Sequence, residues 1–235
     1  EGHDADTYKG SKRFHFQAAP DKVLYKRVLE RLRHKKQDPY FIAIETVSTH
    51  LPFIDPVTET KSESLAVGFA DNALGGFYND LNKAGFFDTG ILIIVSDHRS
   101  MTMVTQKEIE RFGPKATALV PMIIVGSGYT GIESKIFQQA DIFTSLENYV
   151  SQKTCTSLFH GDLLTKPSQP PAYAIHVRGD DRSLITVFNK KANATIRLEG
   201  DQTRLIAGDL KGALIAVKKI NYDRILKRFS QAKKI

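Results

Sequence analysis

Asp97 and His98 stand side by side at the end of the run Ile91-Leu92-Ile93-Ile94-Val95-Ser96. A carboxylate and an imidazole delivered to one point are groups that hold a divalent cation or bind an anionic substrate. The same two residues also have a purely local reading. An Asp at a strand end caps the following helix, and a His beside it hydrogen-bonds the loop. Two residues do not decide between these readings. A second polar cluster, Ser48-Thr49-His50, precedes Leu51-Pro52-Phe53. There the proline restricts Leu51 to extended geometry and places His50 in extended backbone. His50 alone reads as a structural residue until something pairs with it.

The elements around these residues explain why they meet at strand ends. Five aliphatic residues, Ile91 to Val95, follow Gly90 and precede Ser96-Asp97, which predicts a strand buried on both faces in a parallel sheet. Its C-terminal edge is where open α/β sheets bind ligands. Tyr40 to Val47 predicts a second strand leading into His50, and Val120 to Gly126 a third, with Pro121 at its start. Pro20-Asp21 followed by Leu24, Val28 and Leu32 predicts an amphipathic helix with Arg33, Lys35 and Lys36 in its last turn. A longer helix is predicted from Ser62 to Gly85, with Leu65, Phe69, Ala73, Phe77 and Leu81 at four-residue steps and Gly85 as its stop. Gly68, Gly75 and Gly76 weaken that helix, so close packing on the sheet is the expected reason for them. Thr105 to Arg111 predicts a short helix, and the stretch from Gln139 opens another with Asp141 or Thr144 near its start. Helical crossovers between strands are the pattern of a mainly parallel sheet flanked by helices.

Past Pro167 to Pro171 the pattern changes. Ala172–Arg178, Arg182–Asn189, Ala194–Glu199 and Thr203–Ala207 alternate and are separated by turn residues, which predicts a small antiparallel meander without chemistry of its own. The tail from Lys218 to Phe229 has apolar residues at helical spacing among basic ones. It reads as a docked terminal helix with a solvated face, or as a helix lying on an anionic membrane surface. The expected division is residues 1–165 as an α/β domain and 172–235 as the appended sheet and helix.

Composition sets the outer limits. With 41% hydrophobic and 25% charged residues, the chain is a globular protein rather than a disordered one. Its single cysteine, Cys155, excludes an internal disulfide and any multi-cysteine zinc site. There is no run of about 18 apolar residues and no signal peptide at the start, and the opening Glu1-Gly2-His3 reads as a cut inside a larger protein. A net charge of +7 favours anionic partners. Nucleic acid is not among those expected, because the chain has no RNP-like aromatic pair, recognition helix or zinc finger.

Five motifs in order then carry a resemblance. They are Thr46-Val-Ser-Thr-His50-Leu-Pro52-Phe53; Ala70-Asp71-Asn72-Ala73-Leu74 with Leu81-Asn-Lys-Ala-Gly85-Phe-Phe-Asp88; Ile93-Ile-Val-Ser-Asp97-His98; Val120-Pro121-Met-Ile-Ile; and Ala140-Asp141-Ile142. Together they resemble the C-terminal two-thirds of a sulfatase-type enzyme of the alkaline-phosphatase superfamily, and within it the lipoteichoic acid synthase and phosphoglycerol transferase branch. The resemblance covers roughly residues 1–165. It implies transfer or hydrolysis of a phosphate-group ester with a divalent metal, manganese first, with zinc, calcium or magnesium as alternatives. In that family the Asp-His pair, here Asp97 and His98, ligates the metal, and the His of the His-x-Pro motif, here His50, binds the substrate's phosphate or leaving group. A carboxylate and a neutral imidazole suit such a cation, and a neighbouring imidazole can protonate a departing alkoxide.

Arg99, where many relatives have Gly or Tyr, is expected either to clasp a substrate phosphate in bidentate fashion or to pair with a loop carboxylate. Tyr8 corresponds loosely to an aromatic residue lining the family's substrate site. His3, His15, His34, His160 and His176 match no motif and read as structural or exposed. The family's threonine nucleophile and first acidic metal ligand lie N-terminal to the region matched by Glu1, so no catalytic nucleophile is expected in this chain. The implied partners are an anionic phospholipid head group as donor, a glycan or glycerolphosphate acceptor, and an N-terminal catalytic half with a membrane segment. The implied location is extracytoplasmic, in a bacterial cell envelope. A sulfate or phosphodiester hydrolase is an alternative within the same class, and a non-catalytic binding module an alternative outside it.

Overall fold

A computed structural model of the chain describes residues 8, 10, 11, 13, 18–34, 39–155, 157–164 and 168–232. His3, His15, Lys35 and Lys36 lie outside the described residues. The chain divides into two compact units, Glu1–Leu92 and Ile93–Ile235.

The first unit is built on two helices, α1 (Asp21–His34) and α2 (Glu63–Lys83). The start of α1 at Asp21 and both termini of α2 are those the sequence predicts, while the predicted end of α1, with Lys35 and Lys36, falls outside the described residues. Ser62 caps α2, its hydroxyl accepting the Leu65 N–H, and Gly85 follows the helix at φ 70°, a conformation that costs a residue with a Cβ far more. Tyr25 of α1 stacks on Phe77 of α2 with ring centroids 4.6 Å apart. Around that pair Ala73 and Leu81 are buried, with Val28, Leu32 and Ile44 packed against them. Burial pushes the Tyr25 hydroxyl up to about 12, with the Asp21 carboxylate adding to the effect. The four-residue stripe predicted for α2 holds from Ala73 onward, but Leu65 is exposed and Ala66 is buried in its place. A strict four-residue step outruns a 3.6-residue turn, so the stripe drifts off the core face toward one end.

Two expectations for this unit are corrected. Among the described residues a Cβ added to Gly68, Gly75 or Gly76 would meet nothing within 4 Å, so no close packing of these glycines is seen there. The stretch from Tyr40 to Val47, predicted as a strand, has no ladder partner among the described residues, and Tyr40, Phe41 and Ile42 are exposed. Its run of apolar side chains states that it is suited to a sheet; pairing itself needs a neighbouring strand.

In the second unit, β1 (Leu92–Val95) pairs with β2 (Met122–Val125) as a two-stranded sheet. Between them lie α3 (Gln106–Phe112) and a 3-10 turn, Gly113–Thr117. Then α4 (Asp141–Ser151) leads to β3 (Ala174–Val177), β4 (Leu184–Phe188), β5 (Asn193–Glu199) and β6 (Gln202–Gly208). These four strands form an antiparallel meander in sequence order, as predicted. The mainly parallel sheet expected earlier in the chain is not confirmed: among the described residues only β1 and β2 of its three expected strands form, and the larger sheet is the antiparallel one. Alternation puts Ile185, Val187, Ala194 and Ile196 on the covered face, and α5 (Lys211–Ala232) lays Ala213, Ala216 and Val217 over it. Gly208 lies opposite Ala194 at φ 83°, where an added Cβ would come within 2.2 Å of the Asn193 carbonyl oxygen, so only glycine fits there.

Candidate metal and phosphate-ester site

The Asp97-His98 step sits two residues beyond the end of β1, both side chains open to solvent at 85% and 55% exposure. The Asp97 carboxylate accepts the His98 backbone N–H at 2.8 Å through Oδ1. Its other oxygen, Oδ2, lies 3.2 Å from His98 Nε2. His98 Nδ1 is 2.7 Å from the Arg99 carbonyl. A carbonyl only accepts, so Nδ1 carries a proton, and Nε2 is the ring atom that faces the carboxylate. Two electron-rich atoms facing each other are stable when a proton or a cation lies between them.

That spacing is a test of fit for a divalent ion. Ligand distances of about 2.0–2.2 Å place two donors of one ion roughly 2.8–3.6 Å apart at octahedral to tetrahedral angles. The observed 3.2 Å falls within that span. A backbone carbonyl on the remote imidazole nitrogen is also the usual way a ligating histidine is oriented. Asp97 and His98 thus fit one half of a metal shell. Among the described residues no group of three or more His, Cys, Asp or Glu side chains gathers to complete one.

Arg99 points away from this pair. Its Nη2 donates to both Glu108 oxygens at 2.7 and 2.9 Å, and its Nη1 to the carbonyls of Ser100 and Thr102 at 3.0 and 2.7 Å. Of the two readings open for Arg99, the structure displays the loop ion pair. Glu108 also closes the capping box of α3, accepting the Thr105 N–H and hydroxyl while Thr105 Oγ1 accepts the Glu108 N–H. These bonds, the Thr105 N–H foremost and the Arg99 guanidinium next, hold the Glu108 carboxyl down at about 2. The loop from Asp97 to Thr105 is thereby tied to the start of α3 by one arginine and one glutamate.

Gln139 holds the strand end from the other side. Its Nε2 donates to the carbonyls of Ser96 and Asp97, both at 2.6 Å, across more than 40 residues of sequence. Next to it, Gln138 donates through Nε2 to the Phe159 carbonyl and accepts the Ile175 N–H at 2.8 Å. Asp141, the first residue of α4, is fully buried and accepts the N–H groups of Gln138 and Gly161 at 2.8 Å each. Burial raises its carboxyl above the ordinary range even against those two bonds. The turn entering α4 is thus a fixed post, and Gln139 fastens the Asp97 backbone to it. Sequence reasoning marks Asp141 as a helix start and passes over Gln139. The available signal is slight: an amide side chain two residues before the helix-opening Asp.

His50 belongs to the first unit, whereas Asp97, His98 and Arg99 belong to the second. His50 is half-buried, with Nδ1 2.7 Å from the Leu51 carbonyl, the same relation His98 has to Arg99. The turn before it is fastened to α1. Asp21 Oδ1 accepts the N–H groups of Val47 and Ser48 at 2.9 and 3.0 Å, and the Asp21 N–H donates to Ser48 Oγ at 3.2 Å. Both Asp21 and Ser48 are buried. Tyr8, also in the first unit, sits in a turn whose carbonyl accepts the Ser11 N–H, with the Arg13 guanidinium 6.0 Å from its ring. His34 and His160 are exposed, and His176 lies partly buried on β3, where desolvation lowers its pKa.

The sulfatase family model matches residues 2–153. Lipoteichoic acid synthase 1 of Bacillus subtilis (strain 168) is 25% identical over 131 residues, covering 47% of this chain and 20% of the relative. Two solved structures share the fold. A protein in the alkaline phosphatase superfamily from Vibrio parahaemolyticus superposes with a TM-score of 0.65 at 16% identity, over 97% of this chain and 59% of that one. The lipoteichoic acid synthase LtaP from Listeria monocytogenes does so with a TM-score of 0.55 at 17% identity, over 97% and 62%. The chain spans about a fifth of the curated relative's length and about three-fifths of the two solved chains. It has the α/β fold of the alkaline phosphatase superfamily, and it belongs to the sulfatase family.

Proposed function

We propose that this chain is the C-terminal part of the catalytic domain of a metal-dependent transferase that moves a phosphoglycerol-type group from an anionic phospholipid head group to a glycan or glycerolphosphate acceptor. The observation that carries this reading is the Asp97–His98 geometry, with Oδ2 and Nε2 3.2 Å apart and the remote imidazole nitrogen fixed by a carbonyl. A divalent cation bound there, manganese first and zinc, calcium or magnesium as alternatives, would polarise a phosphoryl oxygen and lower the pKa of an attacking hydroxyl. In this reading His50 is a substrate-binding residue that hydrogen-bonds a non-bridging phosphate oxygen or protonates a departing alkoxide, and Tyr8 lines the donor's path. Arg99 orients the loop through Glu108, and touches substrate only by exchanging that carboxylate for a phosphate.

The nucleophile and first acidic ligand belong, in this reading, to sequence outside these residues. The share of each relative that the chain covers, about a fifth to three-fifths, supports this. In this reading 1–165 belongs to an α/β domain with a mainly parallel sheet flanked by helices, and 172–235 is an appendage. The sulfatase match favours one second reading, a sulfate or phosphodiester hydrolase using the same donors. The transferase reading places the protein outside the cytoplasm, in the cell envelope.

The test compares the 235-residue chain with a polypeptide extended N-terminally, following release of diacylglycerol from phosphatidylglycerol in manganese. The extended protein should turn over and lose at least about 10³-fold in His98→Ala, while the chain alone should not turn over. Robust turnover by the purified chain alone, abolished in His98→Ala, would sink the missing-half reading. Turnover of sulfate esters in preference to phosphodiesters would select the hydrolase.

A further inference from the structure

The second face of α5 is the strongest unassigned surface in the molecule. The helix docks on the antiparallel sheet through Ala213, Val217 and Asn221. At about 100° per residue, Ile215, Tyr222 and Leu226 fall within roughly 40° of one another on the opposite side. A docked helix ordinarily shows polar residues there. These three are 73%, 56% and 49% exposed. Lys218 flanks the stripe on one side and Lys219 on the other, both exposed. The helix carries six Lys or Arg residues against one Asp, most of the chain's net charge of +7 in 22 residues.

We infer that this outer face of α5 is a docking surface for an anionic lipid bilayer, with Ile215, Tyr222 and Leu226 entering the head-group boundary and Lys218 and Lys219 contacting lipid phosphates. The stripe is about 16 Å long, from Ile215 to Leu226 at 1.5 Å per residue, and lies parallel to the helix axis, which suits a helix in the plane of an interface. Tyrosine is a residue that settles at the head-group level, where its ring is apolar and its hydroxyl wet. Lysine stems cover apolar surface while their ammonium groups reach water and phosphate. Charge selects among occupants. A second copy of the chain would bring two strongly basic helices face to face, which opposes association, whereas an anionic surface attracts them. No described helix is long and apolar enough to cross a membrane, so this mode is surface attachment. The inference is independent of the reading of Asp97 and His98.

The chain contains no tryptophan, so Tyr222→Trp installs a sole indole on the face in question. With the 235-residue chain carrying that substitution, vesicles of equimolar phosphatidylglycerol and phosphatidylcholine should shift the emission to shorter wavelength, while pure phosphatidylcholine should not. Each basic residue near an anionic surface contributes about a fivefold gain in binding, so Lys218→Gln with Lys219→Gln should weaken partitioning about 25-fold. Ile215→Ser with Leu226→Ser should weaken it at least about tenfold. Far-UV circular dichroism and thermal melting of both double variants should match the parent, because none of these side chains enters the core. An equal shift with neutral and anionic vesicles, or none with either, overturns the inference. A shift that grows with protein concentration in the absence of vesicles assigns the face to a protein contact and overturns it as well.

Discussion

The antiparallel sheet with α5 and the strand pair β1–β2 are two outcomes of the same kind of sequence. In the first, each strand's partner is its neighbour in the chain, and Val187, Ala194 and Ile196 end fully buried. In the second, β1 has one partner across a crossover, all four of its residues are only partly buried, and Ile123 of β2 is exposed. Apolar side chains record that a strand belongs inside; they do not bring its neighbour. The candidate metal pair stands at the end of the less covered strand, where carbonyl clamps from Gln139 and the Arg99–Glu108 bridge hold the backbone.

The largest effect that tests this contrast is in the core. Ile196→Ala should cost about 2–5 kcal/mol, read from urea unfolding of the C-terminal sheet. Ile123→Ala, at a side chain 54% exposed, should cost less than about 0.5 kcal/mol. Equal costs would mean that β2 is as well covered as β5. Next in size is the clamp. Gln139→Ala frees the Ser96 and Asp97 carbonyls, and manganese affinity should fall about tenfold while the unfolding midpoint of the C-terminal sheet stays in place. A loss of sheet stability instead would make Gln139 a packing residue.

Smaller still is a change with pH. The Glu108 carboxyl is depressed to about 2 in the fold from an ordinary 4.5. Its stabilising bonds are therefore fully present above about 4.5 and disappear as pH falls toward about 2. Removing the guanidinium in Arg99→Ala should move the Glu108 titration, followed by carboxyl carbon NMR, part of the way back to 4.5. Thr105→Ala should move it less, because alanine keeps the backbone N–H that contributes most and removes only the hydroxyl, which contributes less than the arginine. An unchanged titration in both variants would remove the bridge from the account of the loop.

What could be read from the sequence follows the same division. The meander was legible because alternation at Leu184 to Phe188 and Asn193 to Glu199, with Gly200-Asp201 between the last two strands, is local information. Both ends of α2 were legible, since Ser62 and Gly85 are start and stop residues with a mechanism. The extended stretch from Tyr40 to Val47 was not, because pairing depends on a strand remote in sequence, and an apolar run is silent about its neighbour. The glycines of α2 misled, since their absence of side chain answers to no contact among the described residues. Asp97 and His98 were nameable by type, spacing and resemblance. The groups that position them were not: Gln139 reaches them through backbone carbonyls, and Asp21 holds the turn before His50 the same way. A side chain that bonds to backbone places no demand on the identity of the residue it holds, so no motif records it.

The measurement that addresses the central claim most directly is a manganese titration of the 235-residue chain followed by proton NMR of the histidine ring signals. Two ligands leave most of a shell to water, so binding should be weaker than micromolar. The account predicts that substoichiometric manganese broadens the His98 ring protons first and that Asp97→Ala abolishes this selectivity. Uniform broadening of every histidine, or none at His98, would contradict it.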